Sequence, residues 1–313
     1  MANIFLRSPY FVTDTTASHL SAKLQLTLDG AGSPQYTILK NATSNRTVFE
    51  IASLAKDYWA GDSVTFDTVA ISYVITTYTA VDGGGSATAQ SAVVHTGFYG
   101  YSLFSAGVAG NDIDPNDYEL TNTGDSQIIY LPDNTASTAW DMDSGSADKT
   151  SISTSATSVA AASGNYTWTI ERICNPKYTP ILITFVNRNG VPQEHYFFLK
   201  SVESISTKAE SFKRNTFVYS SSSYDTELAQ KQTFNKNGTI RYTLNTNYMI
   251  EAYNEVMEDL LLSEYVWINY GGLTYKPVVV TSSSLTFKKS VNDRLIQYTI
   301  EVEEANDIIN NIV

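Results

Sequence analysis

Three histidines (His19, His95 and His195) and a single cysteine (Cys174) are the side chains best suited to metal binding or nucleophilic chemistry, and their spacing argues against both. Zinc sites draw on closely spaced Cys and His ligands. Here the histidines fall in separate strand or loop segments, none near the cysteine and none in an H-x-x-x-H pattern. His195 follows Glu194 directly, and neighbours on a strand point to opposite faces. The two are therefore expected not to pair, with His195 facing solvent or core. Cys174 precedes Asn175-Pro176 with no basic group beside it, which reads as a packed, inert thiol rather than an activated one.

Carboxylates are the other candidates. Glu251, Glu255 and Glu258 recur at helical spacing. Such a stripe reads as a solvated or interface-facing helix side, because a glycosidase needs two carboxylates held across a cleft. Asp112, Asp114 and Asp117 form one acidic cluster, and Asp141, Asp143 and Asp148 flank Gly145 in another. Calcium favours oxygen-rich loops, but neither cluster follows the twelve-residue calcium loop or carries its closing Glu. Both read as solvated loop acids. Gly83-Gly84-Gly85 is followed by Ser-Ala-Thr-Ala, so it is a loop and not a phosphate cradle. No catalytic, cofactor-binding or metal-ligating residue is assigned, no cofactor is expected, and the chain reads as something other than an enzyme.

The elements that would position these groups are mostly strands. At 313 residues the chain is long enough for two cores. Its hydrophobic content of 42% and charged content of 17% describe a folded chain with a hydroxyl-rich surface, and its 21 tyrosines suit half-buried strands and interfaces. A net charge of −12 disfavours nucleic-acid binding. No stretch approaches the ~20 apolar residues that span a bilayer, and MANIFLRSPYFV lacks a signal-peptide pattern. A soluble protein made in a cytoplasm is expected.

Residues 1–106 read as six or seven short strands, among them 22–28, 35–39, 48–51 and 66–79, with a helical turn at 52–59. That pattern suits a β-sandwich of fibronectin or immunoglobulin type. Residues 107–165 are rich in Asn, Asp, Ser, Thr, Gly and Ala. Only 127–131 resembles a strand, so the segment reads as a polar insertion or linker that orders against neighbouring subunits. Residues 166–313 regain strand periodicity around one amphipathic helix, 247–263. Thr246 or Asn247 caps it, Ile250, Tyr253, Val256, Met257, Leu260 and Leu261 share its apolar face, and Asp259 falls elsewhere with the glutamates. Turns are expected at Asn187–Gly190, Asn237-Gly238 and Gly271-Gly272, and a strand at 211–223. The fold class expected is mainly β.

Two patterns carry a resemblance. The first is LRSPYFV followed by AKLQLTLDG, YTILKN and FEIASLAKDYW. The second is NTNYMIEAYNEVMEDLLLSEYVWI followed by KPVVVTSSSLTFKKSVNDRLIQYTIEVEEAND. Together they resemble virion structural proteins of tailed bacteriophages that infect Bacteroidetes-type hosts, including crAss-like phages. The resemblance covers both ends of the chain and not its middle. It implies a structural part of a tail, neck or baseplate, localised to the virion, present in many copies and arranged in a ring. Its implied partners are itself and other virion proteins, with no nucleic-acid recognition and no membrane insertion. The C-terminal module is also similar in outline to tail-tube and tail-hub folds. The alternatives are a carbohydrate- or receptor-binding virion module stacking glycans on Trp59, Trp140 or Trp168, and a glycan-degrading enzyme.

Overall fold

The structure, a computed structural model, describes residues 3–309 apart from 17, 62–63, 115, 122–126, 175, 219, 221, 271–273, 283, 285 and 287–295. It is mainly β, with several sheets. The N-terminal part contains β1 (Asn3–Phe5), β2 (Phe11–Asp14), β3 (Ser21–Leu28), β4 (Tyr36–Asn41), β5 (Thr47–Glu50), α1 (Ala52–Lys56), β6 (Thr68–Tyr78), β7 (Ala87–Ala89) and β8 (Val93–Phe98). With β9 (Asp112–Ile113), a sheet of order β4-β3-β6-β8-β1-β9 forms, and β2 and β5 pair separately. Strand β3 shows why. Ala22, Leu24, Leu26 and Leu28 are buried while Lys23, Gln25 and Thr27 are not, the two-residue period of a half-covered strand. Phe49, Ile51 and Ala55 share the same core as the β3 leucines.

That core is not closed by the N-terminal part alone, since Val186 and Trp267 from the C-terminal part belong to it. The Asn187–Gly190 turn, present as expected, lies against Tyr99 and Gly100. Gly190 takes φ +83°, and a Cβ there would sit 2.7 Å from the Tyr99 amide nitrogen. A Cβ at Gly100 would run into the Arg188 carbonyl oxygen. The Tyr101 amide donates to that carbonyl at 2.7 Å.

The middle segment departs from the expectation of a polar linker with one strand. Besides β9 it contains β10 (Asp117–Glu119), β11 (Ile128–Pro132), β12 (Ser137–Asp143), β13 (Ser146–Ile152) and β14 (Ser158–Ala160), which with the following β15 (Thr167–Ile173) form sheets β10-β12-β13 and β11-β15-β14. Ile129, Leu131, Ala139, Ile152, Ala161, Trp168 and Ile170 form a core of their own. A two-residue turn joins β12 to β13. Ser144 and Gly145 both take positive φ, the combination that matches strand twist in tight hairpins. The Arg172 guanidinium donates to the carbonyls of Pro132 (3.0 Å), Thr135 (2.5 Å), Ser153 (2.6 Å) and Ala156 (3.2 Å), fastening two loops to β15. Small residues and one cation thus supply what a continuous apolar run would otherwise supply.

The C-terminal part contains β16 (Ile181–Val186), β17 (Pro192–Phe197), β18 (Val202–Lys213), β19 (Phe217–Val218), β20 (Ser223–Tyr224), β21 (Lys231–Asn245), a 3-10 turn (Glu251–Tyr253), α2 (Asn254–Leu262), β22 (Val266–Asn269), β23 (Lys276–Val280) and β24 (Thr299–Glu304). A seven-stranded sheet has the order β17-β16-β22-β23-β24-β21-β18. Tyr253, Val256, Met257 and Leu260 are buried in its core beside Ile183, Phe185 and Ile300. Ile250 and Leu261 are only partly covered.

Four local expectations are corrected. The helix begins at 251, not 247, and neither Thr246 nor Asn247 caps it. Thr246 instead pairs with Tyr298, donating its amide to the carbonyl and accepting the Tyr298 amide on its hydroxyl. Asn237-Gly238 is not a turn, because β21 runs through it with Asn235 at φ +47° where the register with β18 slips. The Asn237 amide group instead donates to Asp307 and to the Ile309 carbonyl, holding the C-terminal tail. The strand expected at 211–223 is the end of β18 followed by the separate β19. Asp259 is buried on the covered side of α2. The expected turn at Gly271-Gly272 lies outside the described residues.

Candidate functional site: an exposed hairpin arm

His19 lies in a network that sequence spacing did not suggest. Its Nε2 is 2.9 Å from the Thr47 hydroxyl, and its Nδ1 is 3.3 Å from an Asp14 carboxylate oxygen. Carboxylate, imidazole and hydroxyl in that order match a nucleophilic triad, but two features oppose the reading. Asp14, His19 and Thr47 are only 4%, 3% and 2% exposed, so a substrate carbonyl cannot reach the hydroxyl. Nδ1 also lies 2.5 Å from the Thr16 carbonyl, which can only accept, so the Nδ1 proton goes there and not to Asp14. Asp14 is engaged by Thr16 and Gln90 on its other oxygen. The network fastens the loop after β2 onto the β2–β5 pair, in which Asp14 and Thr47 are direct partners.

His95 is buried between the Tyr10 and Tyr73 rings. His195 faces the core, 3.2 Å from the Tyr253 hydroxyl, and burial pushes its pKa down to about 3. Glu194 points the opposite way, as strand geometry requires. It accepts the Ser137 hydroxyl at 2.5 Å, and burial raises its carboxyl. Cys174 is exposed, correcting the packed-thiol expectation. It follows the last residue of β15, where the alternation that buries side chains has ended.

The acidic clusters do not sit as solvated loops throughout. Asp141 is fully buried on β12, accepting the Ser163 amide at 3.0 Å, while Asp143 and Asp148 lie on the same hairpin and bond nearby serines. Asp114 caps its own turn through the Asn116 amide, and Asp112 is exposed. Among the described residues no three His, Cys, Asp or Glu side chains converge to hold a metal ion. Trp59 stacks on Tyr99 at 3.9 Å, Trp168 is fully buried and donates to Glu119, and Trp140 packs on Phe66 at 4.6 Å. No helix among the described residues is long and apolar enough to cross a membrane.

What stands out instead is the β18–β21 hairpin. From Ser206 and Thr239 outward the two strands pair with no other strand among the described residues, while Asn237 and Gly238 at the root also bond the tail at Asp307, Ile308 and Ile309. At about 3.3 Å per residue, Ser206 to Lys213 extends roughly 23 Å, and the β19–β20 hairpin lies at its far end. Nearly all of it is exposed on both faces. Phe212 and Phe234 meet edge-to-face at 5.7 Å near the middle of the arm, and both are exposed. Tyr224 is 71% exposed at the tip and Ile205 65% exposed at the root. Residues 206–237 carry five cations (Lys208, Lys213, Arg214, Lys231, Lys236) against three acids (Glu210, Asp225, Glu227), a net charge of +2 on a chain of −12. None of these cations is in an ion pair among the described residues. Sequence reasoning missed the arm because a ribbon exposed on both faces has no apolar face to announce it.

No protein-family model matches the chain, and no curated protein or solved structure shows detectable similarity to it.

Proposed function

We propose that this chain is a non-enzymatic structural component of a bacteriophage tail, neck or baseplate, present in many copies and closed into a ring by self-association. The observation that carries the reading is the arm. An isolated two-stranded ribbon is marginal in water, and its unpaired edges and exposed phenylalanines invite a partner. An arm of this kind is a poor investment for a monomer and a natural connector in an assembly. The resemblance of both chain ends to virion proteins of tailed phages supplies the context. In this reading the N-terminal sheets are the layers of a fibronectin- or immunoglobulin-type sandwich, and the C-terminal module is tube- or hub-like. The partners are further copies and other virion proteins, and the protein is made in the host cytoplasm and ends in the virion. A glycan-binding or glycan-degrading role gains no support from Trp59 and Trp168, whose rings are packed in cores.

The test is to image the purified protein by negative-stain microscopy and to measure its particle mass. Rings or short tubes of uniform diameter are expected. A free-standing monomer with glycan-hydrolysing turnover, absent from virions, would sink the proposal.

A further inference from the structure

Resting on that assembly reading, we infer that the basic arm of one copy docks on the acidic outer face of helix α2 in a second copy of this chain. Charge selects the receiving face. An arm of net +2 on a chain of net −12 is complementary to the rest of its own surface. Some acids on that surface are already held in ion pairs. On β24, Glu303 accepts Arg241 at 2.5 Å and Glu304 accepts Lys276 at 2.7 Å. Glu264 is held by Arg7 and Lys56. The helix stripe is different. Glu251 and Glu255 are exposed, Glu258 is partly so, and among the described residues their ion pairing is limited to Arg188, 3.9 Å from Glu255. Exposed Tyr248 and Leu262 flank the stripe. The arm presents the converse arrangement, the Phe212–Phe234 pair flanked by Lys213, Lys231 and Lys236.

Topology says that the contact is between copies. Helix α2 packs against β16, whereas the arm grows from β18 and β21 at the other end of the same sheet. Five strand spacings of about 4.8 Å separate β16 from β18, roughly 24 Å. The helix also follows the Asn245 end of β21, whereas the arm leaves the sheet at Thr239 towards the opposite, Lys231 end, so donor and acceptor surfaces lie apart on one molecule. A contact between two different patches is heterologous, and when repeated it generates a ring or a filament.

The experiment is sedimentation velocity on the full chain over a concentration series. The proteins are wild type, the arm reversal Lys213→Glu/Arg214→Glu/Lys231→Glu, the helix reversal Glu251→Lys/Glu255→Lys, and an equimolar mixture of the two reversals. Thermal melts confirm folding, and an arm shortened by replacing residues 209–236 with Asn-Gly, which removes Phe212, Phe234 and their flanking cations beyond the Lys208–Asn237 pair, serves as a second variant. Wild type should self-associate, and each reversal alone should weaken association by about a hundredfold or more, as loss of close charge pairs does at other interfaces. Mixing the reversals should restore association through the swapped charges. Folded reversal variants and a shortened arm that assemble as tightly as wild type would overturn the docking while leaving the ring reading in place. A wild type that stays monomeric throughout would overturn both.

Discussion

The Tyr101 hydroxyl donates to the Asp259 carboxylate at 3.3 Å across the seam between the N-terminal sheet and helix α2, joining residues 158 apart in sequence. Asp259 is 2% exposed and also accepts the Arg188 amide at 3.5 Å. Burial, and then the adjacent carboxylate, raise the Tyr101 pKa, so the phenol stays protonated and donating. Arg7 completes the seam, donating to the Leu262 carbonyl at the helix end and pairing with Glu264. Tyr101→Phe should cost about 1–3 kcal/mol, the range for a hydrogen bond to a buried charge. Chemical denaturation monitored by tryptophan fluorescence checks it, and a change under about 0.5 kcal/mol would show the bond to be dispensable.

Leu260 lies in the C-terminal core with Val256 and Met257. Leu260→Ala should destabilise by about 2–5 kcal/mol, transfer and cavity costs together. The exposed neighbour Leu262 is the control, expected within about 0.5 kcal/mol.

Acid should unfold the protein partly through His195. Its folded pKa is depressed to about 3, so between the ordinary histidine value of 6.5 and 3 the unfolded chain binds the proton more tightly. Its contribution to stability is full above about pH 6.5 and is lost progressively as pH falls towards 3, a swing of several kcal/mol. His195→Gln stays neutral throughout, so its stability should fall less steeply over that window in denaturant titrations at stepped pH. Parallel curves for variant and wild type would refute the assignment. Partly buried tyrosines act at the other extreme. Tyr10, raised to about 12 chiefly by burial, favours the folded state below pH 10, and that contribution fades as pH climbs through 12.

Proteolysis of the free protein should begin on the arm. Lys213 and Arg214 lie near the end of a ribbon exposed on both faces, whereas residues 128–173 are tied by two sheets and by Arg172. Brief trypsin treatment followed by mass measurement should yield fragments ending at 213 or 214. Arg172→Ala should expose new cleavage at Lys149 or Lys177. First cuts within 128–173 of the wild type would contradict the packing described.

Much of the architecture is legible in residue order where apolar residues alternate or run together. Strand β3 shows its leucines at every second position, β16 is six consecutive buried residues, and the buried face of α2 follows helical spacing. The middle segment hid because its core uses Ala139, Ala161 and isolated isoleucines, with Arg172 supplying cross-links that no local pattern encodes. Asp259 misled because charge ordinarily marks the wet side of a helix, and its partners Tyr101 and Arg188 come from distant segments. The Asp14–His19–Thr47 network was invisible for the same reason: Thr47 reaches His19 only once β5 has paired with β2.

Trp267 sits in the core that β3 and β6 begin. During synthesis the first hundred residues therefore leave the ribosome with that core unfinished. At roughly 5–20 residues per second, on the order of ten seconds or more pass before Trp267 is made. A nascent chain in that interval carries an open apolar patch and an unsealed seam, so holdase chaperones have their longest opportunity there, and a gene fragment that stops short of Trp267 should accumulate as aggregate instead of as a free-standing N-terminal half.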